Sequence, residues 1–374
     1  MAEIIILGDI CPRWGNGTQF DTGNKENVFH TVLSVLNHAD FVAANLEAPI
    51  TESEERLQKT SMNLKANPRD LSLLKDAGID AFSLANNHIL DYGVTGLKDT
   101  ISYLGKNALY YYGAGKEQRA RETFFTDVDG VKIGFLSFAE REFNCAVDYG
   151  IGANLWDDLI SPADIRKAKE NCDFLIVQYH GGIEEYSYPS PLLQKKCRAM
   201  ADAGADFITC QHSHCIGTRE KWNESEILYG QGNSIFGYSH GDDRWNNGLM
   251  VKITLNKEKK EIKYIPIEAR KDGEYLMEEA EANALLTAFE DNSRKIIDKQ
   301  FVVNEWNTFC TKQKNTYFAL LLGWSRVLNK LNRVLGGRIL KLVINSSSKR
   351  AMMNIIRCDA HREVMQTVLE EDVY

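Results

Sequence analysis

The sequence has no apolar run long enough to cross a membrane and no pattern of paired cysteines. The longest candidate, Tyr317 to Trp324, stops at Ser325-Arg326, short of the ~18–20 apolar residues that a bilayer requires. The eight cysteines are scattered without a C-x-x-C pair. The N-terminal apolar run of four residues lacks a positively charged start, which is not typical of a secretory signal. These absences predict a reduced, cytoplasmic protein.

Acidic residues are missing from one part of the chain. None occurs from Trp306 to Cys358, although ten Lys and Arg do, so the remainder holds 34 positive against 52 negative residues, a formal charge of −18. An acidic body repels phosphate backbones, and we expect no nucleic-acid partner. At 374 residues, 44% apolar and 26% charged, the composition is globular and excludes disordered, collagen-like or disulfide-stapled chains.

Short β-branched or aromatic runs alternate with helical patterns over the first 255 residues. Such runs indicate strands buried on both faces, as in α/β or layered αββα folds. The predicted strands are Ile4–Leu7, Phe41–Ala44, Ala81–Ala85, Lys132–Phe138, Phe174–Tyr179, Phe207–Cys210, Ile227–Tyr229 and Leu249–Leu255. A charged turn joins the last of these to Ile262–Ile267 as a hairpin. From Asp272 the pattern predicts only helices, which places a domain boundary near residue 270, between 1–270 and a helical extension, 271–374.

Polar clusters directly follow seven apolar runs. In open α/β sheets, ligands bind outside the carboxyl ends of the strands, so the clusters predict one convergent site. They are Gly8-Asp9, Asn45-Leu46-Glu47, Asn86-Asn87-His88, Glu140, His180-Gly181-Gly182, Gln211-His212-Ser213-His214 and Gln231-Gly232-Asn233.

Four of the eight histidines lie in these clusters, together with carboxylates and amides. Imidazole, carboxylate and amide oxygen suit divalent metals such as Mn, Fe and Zn. A single buried histidine is more often a hydrogen-bonded core residue, but four at strand ends beside acids favour ligation. In His212-Ser213-His214, alternate residues of an extended chain would turn both imidazoles to one side. The remaining histidines lack this context and are interpreted as surface residues.

Seven blocks of sequence follow one another between residues 3 and 240. They are Gly8-Asp9-Ile10, residues 44–51 (ANLEAPIT), residues 84–93 (LANNHILDYG), Tyr112-Gly113-Ala114-Gly115, residues 180–184 (HGGIE), Gln211-His212-Ser213-His214 and residues 229–233 (YGQGN). In this order they resemble the CapA/PgsA family of bacterial capsule and poly-γ-glutamate synthesis proteins. That family resembles the calcineurin-like metallophosphoesterases. The resemblance implies a four-layer αββα sandwich with a two-metal site on strand-end loops, to which the helical pattern after Asp272 adds a C-terminal helical extension.

The resemblance also implies a role for each matching residue. His88, positioned by Asp91, would protonate a leaving oxygen, and two metals would clamp a phosphoryl group and activate water. Two departures leave open whether one ion or two bind: Cys11 stands where the family has a histidine, and Glu47 where the superfamily has a bridging aspartate. Cys11 is either a thiolate ligand or, as we favour, a buried structural residue. The implied metal ligands are Asp9, Glu47, Asn87, His180, His212 and His214.

Further polar residues are candidates for substrate contact. Glu140, Glu142 and Glu184 either contact substrate or are solvated loop charges. For Lys65 and Asn63 a solvated loop is the favoured interpretation over contact with an anionic substrate. Asn233, in the last strand-end cluster, completes the predicted substrate-binding set.

The basic segment contains an apolar helical stripe, which Gly336-Gly337 ends. Arg326, Lys330 and Arg333 lie opposite this stripe. Three interpretations are open. We favour packing of the stripe on the first domain. Alternatively, residues 317–344 make peripheral contact with a membrane, or the segment binds a partner protein or acidic polymer. The stripe consists of Leu320, Trp324, Val327, Leu328, Leu331, Val334 and Leu335.

The resemblance implies a role in making or exporting a capsule or other surface polymer. One hypothesis is a metal-dependent phosphoesterase acting on a phosphorylated or polymeric substrate. Another is a non-catalytic assembly component that keeps the fold and binds partner proteins of a synthesis complex. A third is a cytosolic nucleotide or sugar-phosphate hydrolase. We expect a cytoplasmic protein, either free or peripheral at the inner face of the membrane.

Overall fold

The computed structural model describes residues 1–59, 61–144, 150–256 and 260–371. The chain divides into two compact units, Met1–Val303 and Asn304–Tyr374. This division lies further along the chain than the boundary predicted near residue 270. The reason is that a strand and a helix after that residue pack with the sheets of the first unit.

The first unit alternates strands and helices along most of its length. Its strands are β1 Ala2–Ile10, β2 Phe41–Leu46, β3 Ala81–Ser83, β4 Tyr110–Tyr112, β5 Ala114–Gly115, β6 Phe124–Val128, β7 Val131–Ala139, β8 Gly152–Ala153, β9 Phe174–His180, β10 Phe207–Gln211, β11 Arg219–Trp222, β12 Ser225–Leu228, β13 Asn247–Leu255, β14 Lys260–Arg270 and β15 Gly273–Leu276. Its helices are α1 Gly17–Asp21, α2 Glu26–Phe29, a 3₁₀ turn His30–Val32, α3 Leu33–Leu36, α4 Asp70–Asp76, α5 Gly93–Lys106, α6 Glu117–Ala120, α7 Ser161–Lys169, α8 Pro191–Asp202, α9 Asp243–Asn246 and α10 Glu279–Lys295.

Two large sheets form the centre of the first unit. Over the described residues, one sheet has the strand order β15-β14-β13-β1-β2-β3-β4 and the other has the order β11-β12-β10-β9-β7-β6. Strands β1 to β4 run parallel to one another, and so do β7, β9, β10 and β12. The carboxyl ends of each parallel set therefore meet at one edge of its sheet, where ligands bind in such folds.

Three apolar cores stack the two sheets and their helices into four layers. Ile4 and Phe135 belong to the core between the sheets. Leu71 and Leu97 join α4 and α5 to the outer face of the first sheet, and Met200 of α8 belongs to the core on the second. Each fully buried large apolar side chain stabilises the fold by roughly 1.5–3 kcal/mol. The predicted αββα sandwich is confirmed.

Strand β15 corrects the expectation that only helices follow Asp272. Residues Gly273–Leu276 pair antiparallel with Ile267–Arg270 of β14. Four residues are too few to show the period-2 alternation that identifies a strand in sequence, so this strand becomes visible only through its partner.

The second unit is helical over its described residues. Its helices are α11 Lys299–Leu321, α12 Arg326–Val334, α13 Arg338–Val343, α14 Ser346–Arg357 and α15 Asp359–Glu371, and the buried members of its core are Ala319, Leu340 and Ile344. The stripe predicted as one helix is interrupted. Gly323 has a φ of +60°, and the Ser325 hydroxyl caps α12 by accepting the Leu328 N–H at 3.3 Å. None of the helices that the structure describes is long and apolar enough to cross a membrane.

Candidate metal centre

The structure brings all six predicted metal ligands to neighbouring strand ends. Asp9 lies near the end of β1 and His180 is the last residue of β9. Glu47 follows β2 and Asn87 follows β3, while His212 and His214 follow β10. All six side chains are buried. The carboxyl ends of the parallel strands of both sheets therefore meet at one site, as the sequence predicts.

Glu47 stands at the centre of the group. Its Oε1 atom lies 3.4 Å from His180 Nε2 and 3.9 Å from the Nε2 atoms of both His214 and His88. Neither carboxylate oxygen of Glu47 has a hydrogen-bond partner among the described residues. Burial, reinforced by the neighbouring Asp9, raises the pKa of Glu47 well above its usual range. A buried carboxylate without donors is costly unless a cation compensates its charge.

Two overlapping groups of three ligand atoms meet at this carboxylate. Asp9, Glu47 and His214 form one group, and Glu47, His180 and His212 form the other, with the ligand atoms of each group within 4.8 Å of one another. Glu47 belongs to both groups, which is the arrangement that a bridging carboxylate requires.

Two histidines of this centre, His180 and His212, have surroundings that favour the neutral imidazole. Burial lowers the pKa of His180, and burial together with the neighbouring histidines lowers the pKa of His212 well below its usual range. Nδ1 of His212 has no hydrogen-bond partner among the described groups. Neutral imidazole is the form that binds metals. The ring nitrogens of His180 and His212, together with the unpartnered Glu47 oxygens, therefore fit a divalent cation.

Amides on adjacent strands hold the ligands in place. The Asn45 side chain donates to Asp9 Oδ1 at 2.8 Å and approaches His180 Nδ1 at 3.2 Å. Oδ1 of Asn87 lies 3.0 Å from His180 Nε2. Asn233, predicted to contact substrate, instead has its Oδ1 atom 2.8 Å from His214 Nδ1 and donates to the Trp245 carbonyl. Such outer partners fix the ring orientation of ligating histidines.

The paired histidines converge by a different route from the one expected. His212 and His214 have φ angles of +89° and +50°, so the segment is not extended and the alternation argument was wrong. Left-handed backbone is uncommon for non-glycine residues and clusters at functional sites. The His212 N–H donates to Asp9 Oδ2 at 2.9 Å, and the His214 ring packs against Phe236 and Trp245 at centroid distances of 4.7 and 4.8 Å. These contacts hold both left-handed residues.

A buried lysine joins the predicted His88–Asp91 pair. His88 Nδ1 lies 2.7 Å from Asp91 Oδ2. The Lys59 ammonium forms an ion pair with Asp91 and lies 3.2 Å from His88 Nδ1, and its side chain has no exposed surface. The sequence did not identify Lys59, because it lies in an irregular segment without helical or strand periodicity.

Asn63 and Lys65, for which a solvated loop was favoured over substrate contact, both bond to neighbouring backbone carbonyls. The Asn63 amide donates at 3.0 Å to the carbonyls of Leu57 and Asp91, which fastens the loop beside Asp91. The Lys65 ammonium donates to the Ser53 carbonyl at 3.0 Å and pairs with Glu54 at 2.6 Å. Both side chains are thus engaged within their own loop.

The three predicted acids differ in their surroundings. Glu140 accepts hydrogen bonds from the Tyr179 hydroxyl at 2.7 Å and from Lys196 at 3.2 Å. Glu142 lies 3.5 Å from the Asn87 amide nitrogen, and burial raises its pKa. Glu184 is exposed. Glu142 is therefore the acid of the three that contacts a predicted ligand.

Cys11 belongs to neither ligand group, although it lies one residue after β1. Its side chain is buried, and burial raises the pKa of its thiol far above the usual range. The surroundings thus favour the protonated thiol over a thiolate ligand.

The fold and these contacts define an αββα protein with a histidine- and carboxylate-rich candidate metal centre at its strand ends. The chain belongs to the family described as bacterial capsule synthesis protein PGA_cap, which matches residues 3–238. The predicted relation to the CapA/PgsA proteins is thereby confirmed.

Curated relatives carry names from capsule and poly-glutamate synthesis. The chain is 31% identical over 242 residues to the PGA biosynthesis protein CapA of Bacillus subtilis (strain 168), covering 62% of each chain. It is 32% identical over 238 residues to the capsule biosynthesis protein CapA of Bacillus anthracis, covering 61% of this chain and 57% of that one. A probable polyglutamine synthesis accessory protein of Mycobacterium tuberculosis is 26% identical over 224 residues, 55% of this chain and 58% of its own. The chain thus spans about 60% of the length of the curated relatives it matches.

Solved structures resemble the chain more distantly. A hypothetical protein from Thermus thermophilus has 13% identity and a TM-score of 0.47, covering 72% of this chain and 100% of that one. A 5'-nucleotidase precursor from the same organism has 13% identity and a TM-score of 0.42, covering 77% and 58%.

Proposed function

We propose that the chain is a metal-dependent phosphoester hydrolase that acts in the synthesis of a capsule or another surface polymer. The observation that carries the proposal is the buried Glu47 carboxylate, whose two oxygens lack hydrogen-bond partners among the described residues and which lies between His180, His214 and His88. Family membership supports the polymer role, since the relatives are named for capsule and poly-glutamate synthesis.

The residues of this centre would hold either one ion or two ions of Mn, Fe or Zn. Asp9, Glu47 and His214 would hold one ion, and Glu47, His180 and His212 the other, with the Asn87 amide oxygen beside His180. When bound, such ions act as Lewis acids on phosphoryl oxygens and on water.

His88 is the proton donor in this proposal. Its Nδ1 atom contacts Asp91 and Lys59, and its Nε2 atom lies on the side of Glu47, 3.9 Å from Oε1. In this proposal the Nε2 atom, which lies on the side of the centre, gives a proton to the leaving oxygen. Asp91 and Lys59 act as positioning residues, because they fix the imidazole without reaching the ligand group.

The second candidate is an assembly role without hydrolysis, inside the complex that makes the polymer. Cys11 favours it, because a buried neutral thiol replaces one of the family's imidazole ligands. The mycobacterial relative is itself named an accessory protein. In that role the centre would hold at most structural metal, and partner proteins would supply the chemistry.

The test measures Mn²⁺ binding and phosphodiester hydrolysis on the purified full chain. Calorimetric titration and bis-p-nitrophenyl phosphate serve as probes, followed by nucleotide and sugar phosphates to examine a simpler hydrolase role. His212→Ala should weaken Mn²⁺ binding at least about a hundredfold, by analogy with disrupted metal sites, and abolish hydrolysis. His38→Ala, an exposed histidine of the same unit, is the matched control and should change neither.

This experiment distinguishes the hydrolase from the assembly role. Hydrolysis that survives His212→Ala rules out the two-metal centre. Tight Mn²⁺ binding without hydrolysis of any probe by the unmodified chain supports the assembly role instead.

A further inference from the structure

Helix α12 of the second unit has its apolar face turned toward solvent. Val327 and Val334 are 76% and 77% exposed, and Leu331 is 48% exposed, whereas Asn332 is only 6% exposed. This is the reverse of an ordinary surface helix, which buries its apolar stripe and exposes its polar side.

Hydrogen bonds to asparagines fix this orientation. Oδ1 of Asn332 accepts the Leu340 N–H at 3.1 Å, and the Asn329 amide donates to the Trp324 carbonyl at 3.4 Å. Asn329 lies opposite the apolar stripe of α12, and Asn332 lies at its edge, because residues three and four apart share a helix face. The two asparagine side chains are therefore engaged within the unit, whereas the apolar side chains of α12 are exposed.

Exposed apolar side chains also follow α12 in the chain. We call the exposed side chains of α12 to α14, residues 327–357, the basic apolar surface. Its apolar members beyond α12 are Leu335, Leu342, Val343, Met353, Ile355 and Ile356, all at least 36% exposed. An apolar area of this kind on a helical unit marks an interaction site.

The charge of the same surface is of one sign. No acidic residue occurs between Trp306 and Cys358. Lys330, Arg333, Arg338 and Lys341 are exposed, and none of them forms an ion pair with an acidic side chain that the structure describes. The surface thus combines uncompensated cations with exposed aliphatic groups.

We propose that the basic apolar surface binds an anionic lipid surface. Aliphatic groups enter the boundary between headgroups and acyl chains, while flanking lysines and arginines stay at the headgroups. Each cation near an anionic leaflet adds attraction that salt screens. A second copy of the chain is a poorer occupant, because two surfaces of the same sign repel each other.

Co-sedimentation of the full chain with vesicles tests the proposal. Vesicles of equal parts phosphatidylglycerol and phosphatidylcholine should bind the chain at least about tenfold more strongly than pure phosphatidylcholine vesicles, and added salt should weaken the binding. The double variant Val327→Asp/Val334→Asp should reduce binding at least about tenfold, because it places carboxylates where aliphatic groups insert. Leu159→Asp, at an exposed leucine of the first unit, is the matched control and should bind like the unmodified chain.

A charge variant distinguishes the lipid from other occupants. Lys330→Glu/Arg333→Glu should lose the preference for phosphatidylglycerol. Circular dichroism must show unchanged helix content in both double variants. Absence of binding to anionic vesicles by the unmodified chain overturns the proposal, as does concentration-dependent dimerisation that the aspartate double variant abolishes while vesicle binding persists.

Discussion

The two units depart from the usual distribution of polar and apolar groups in opposite directions. The first unit buries charged groups such as Glu47, Lys59 and Asp91, and the second exposes Val327 and Val334. Exposed single hydrophobics are ordinary, but buried charges and extended apolar surfaces are informative. Each unit therefore has its candidate functional surface where it departs from the usual distribution.

The two units also differ in the size of the apolar core that stabilises them. Three apolar cores stabilise the first unit, which can therefore hold a strained, partly unpaired polar centre. The second unit has three buried apolar residues in its described core. Its exposed apolar groups outnumber its buried ones, so a bound partner would contribute much of its order.

The largest effect is expected from breaking the buried ion pair of the first unit. Lys59→Met leaves Asp91 buried without its cation, which should lower the free energy of unfolding by about 3–5 kcal/mol. Urea unfolding measures this change. Lys65→Met is the matched control, because Lys65 pairs with the largely exposed Glu54, and it should leave stability nearly unchanged.

The same Lys59 variant distinguishes positioning of His88 from metal binding. Hydrolysis should fall and its pH profile should shift, whereas Mn²⁺ affinity should stay close to that of the unmodified chain. Loss of Mn²⁺ affinity as large as that of His212→Ala would contradict the assigned role. Lys59→Arg should recover part of the activity, because it keeps the cation beside Asp91.

An intermediate effect is expected from Glu274 in β15. Burial raises its pKa from 4.5 to about 8, while the Ser234 hydroxyl donates to its Oε2 at 3.2 Å. A carboxyl whose folded-state pKa is raised stabilises the fold fully below pH 4.5 and loses that contribution as the pH rises toward 8. Glu274→Gln should therefore gain roughly 2–3 kcal/mol relative to the unmodified chain between about pH 5 and pH 7.

Urea unfolding at the two pH values checks this prediction. Glu224→Gln is the control, because Glu224 is almost fully exposed, and its difference from the unmodified chain should not vary with pH. A constant difference for Glu274→Gln as well would show that Glu274 is charged in the folded protein.

The smallest effect is expected at the apolar face of the second unit. Val334→Ala should change the free energy of unfolding by less than about 0.5 kcal/mol, since the side chain is mostly exposed and surface substitutions rarely exceed that value. Leu340→Ala, at a buried position of the same unit, is the comparison and should cost severalfold more. Equal losses in the free energy of unfolding for the two variants would mean that the apolar face of α12 is covered in the isolated chain.

The candidate metal centre was predictable where it depends on strand ends. Apolar runs located β1, β9 and β10, and parallel sheets bring the residues that follow such runs to one edge, which placed Asp9, His180 and His212 correctly. Lys59 was not predictable, because its burial depends on a contact with Asp91 that no local pattern encodes. The left-handed backbone of the paired histidines likewise arises from tertiary contacts.

The tail shows a different limit of sequence patterns. Spacing correctly identified an apolar stripe with cations opposite, but a stripe indicates two faces without saying which one turns inward. The hydrogen bonds of Asn332 and Asn329 decide this, and they depend on the turn at Gly323 that divides the predicted helix.

Strand β13 has a consequence for how the protein is made. The family match ends at residue 238, yet β13 pairs with β1 in the interior of the larger sheet, with Ile4 opposite Ile253. Until β13 has been synthesised, β1 has an open edge whose unpaired backbone groups invite association with other chains. Asp9 lies near the end of β1, so the candidate metal centre depends on β13, which is translated after the segment that the family model matches.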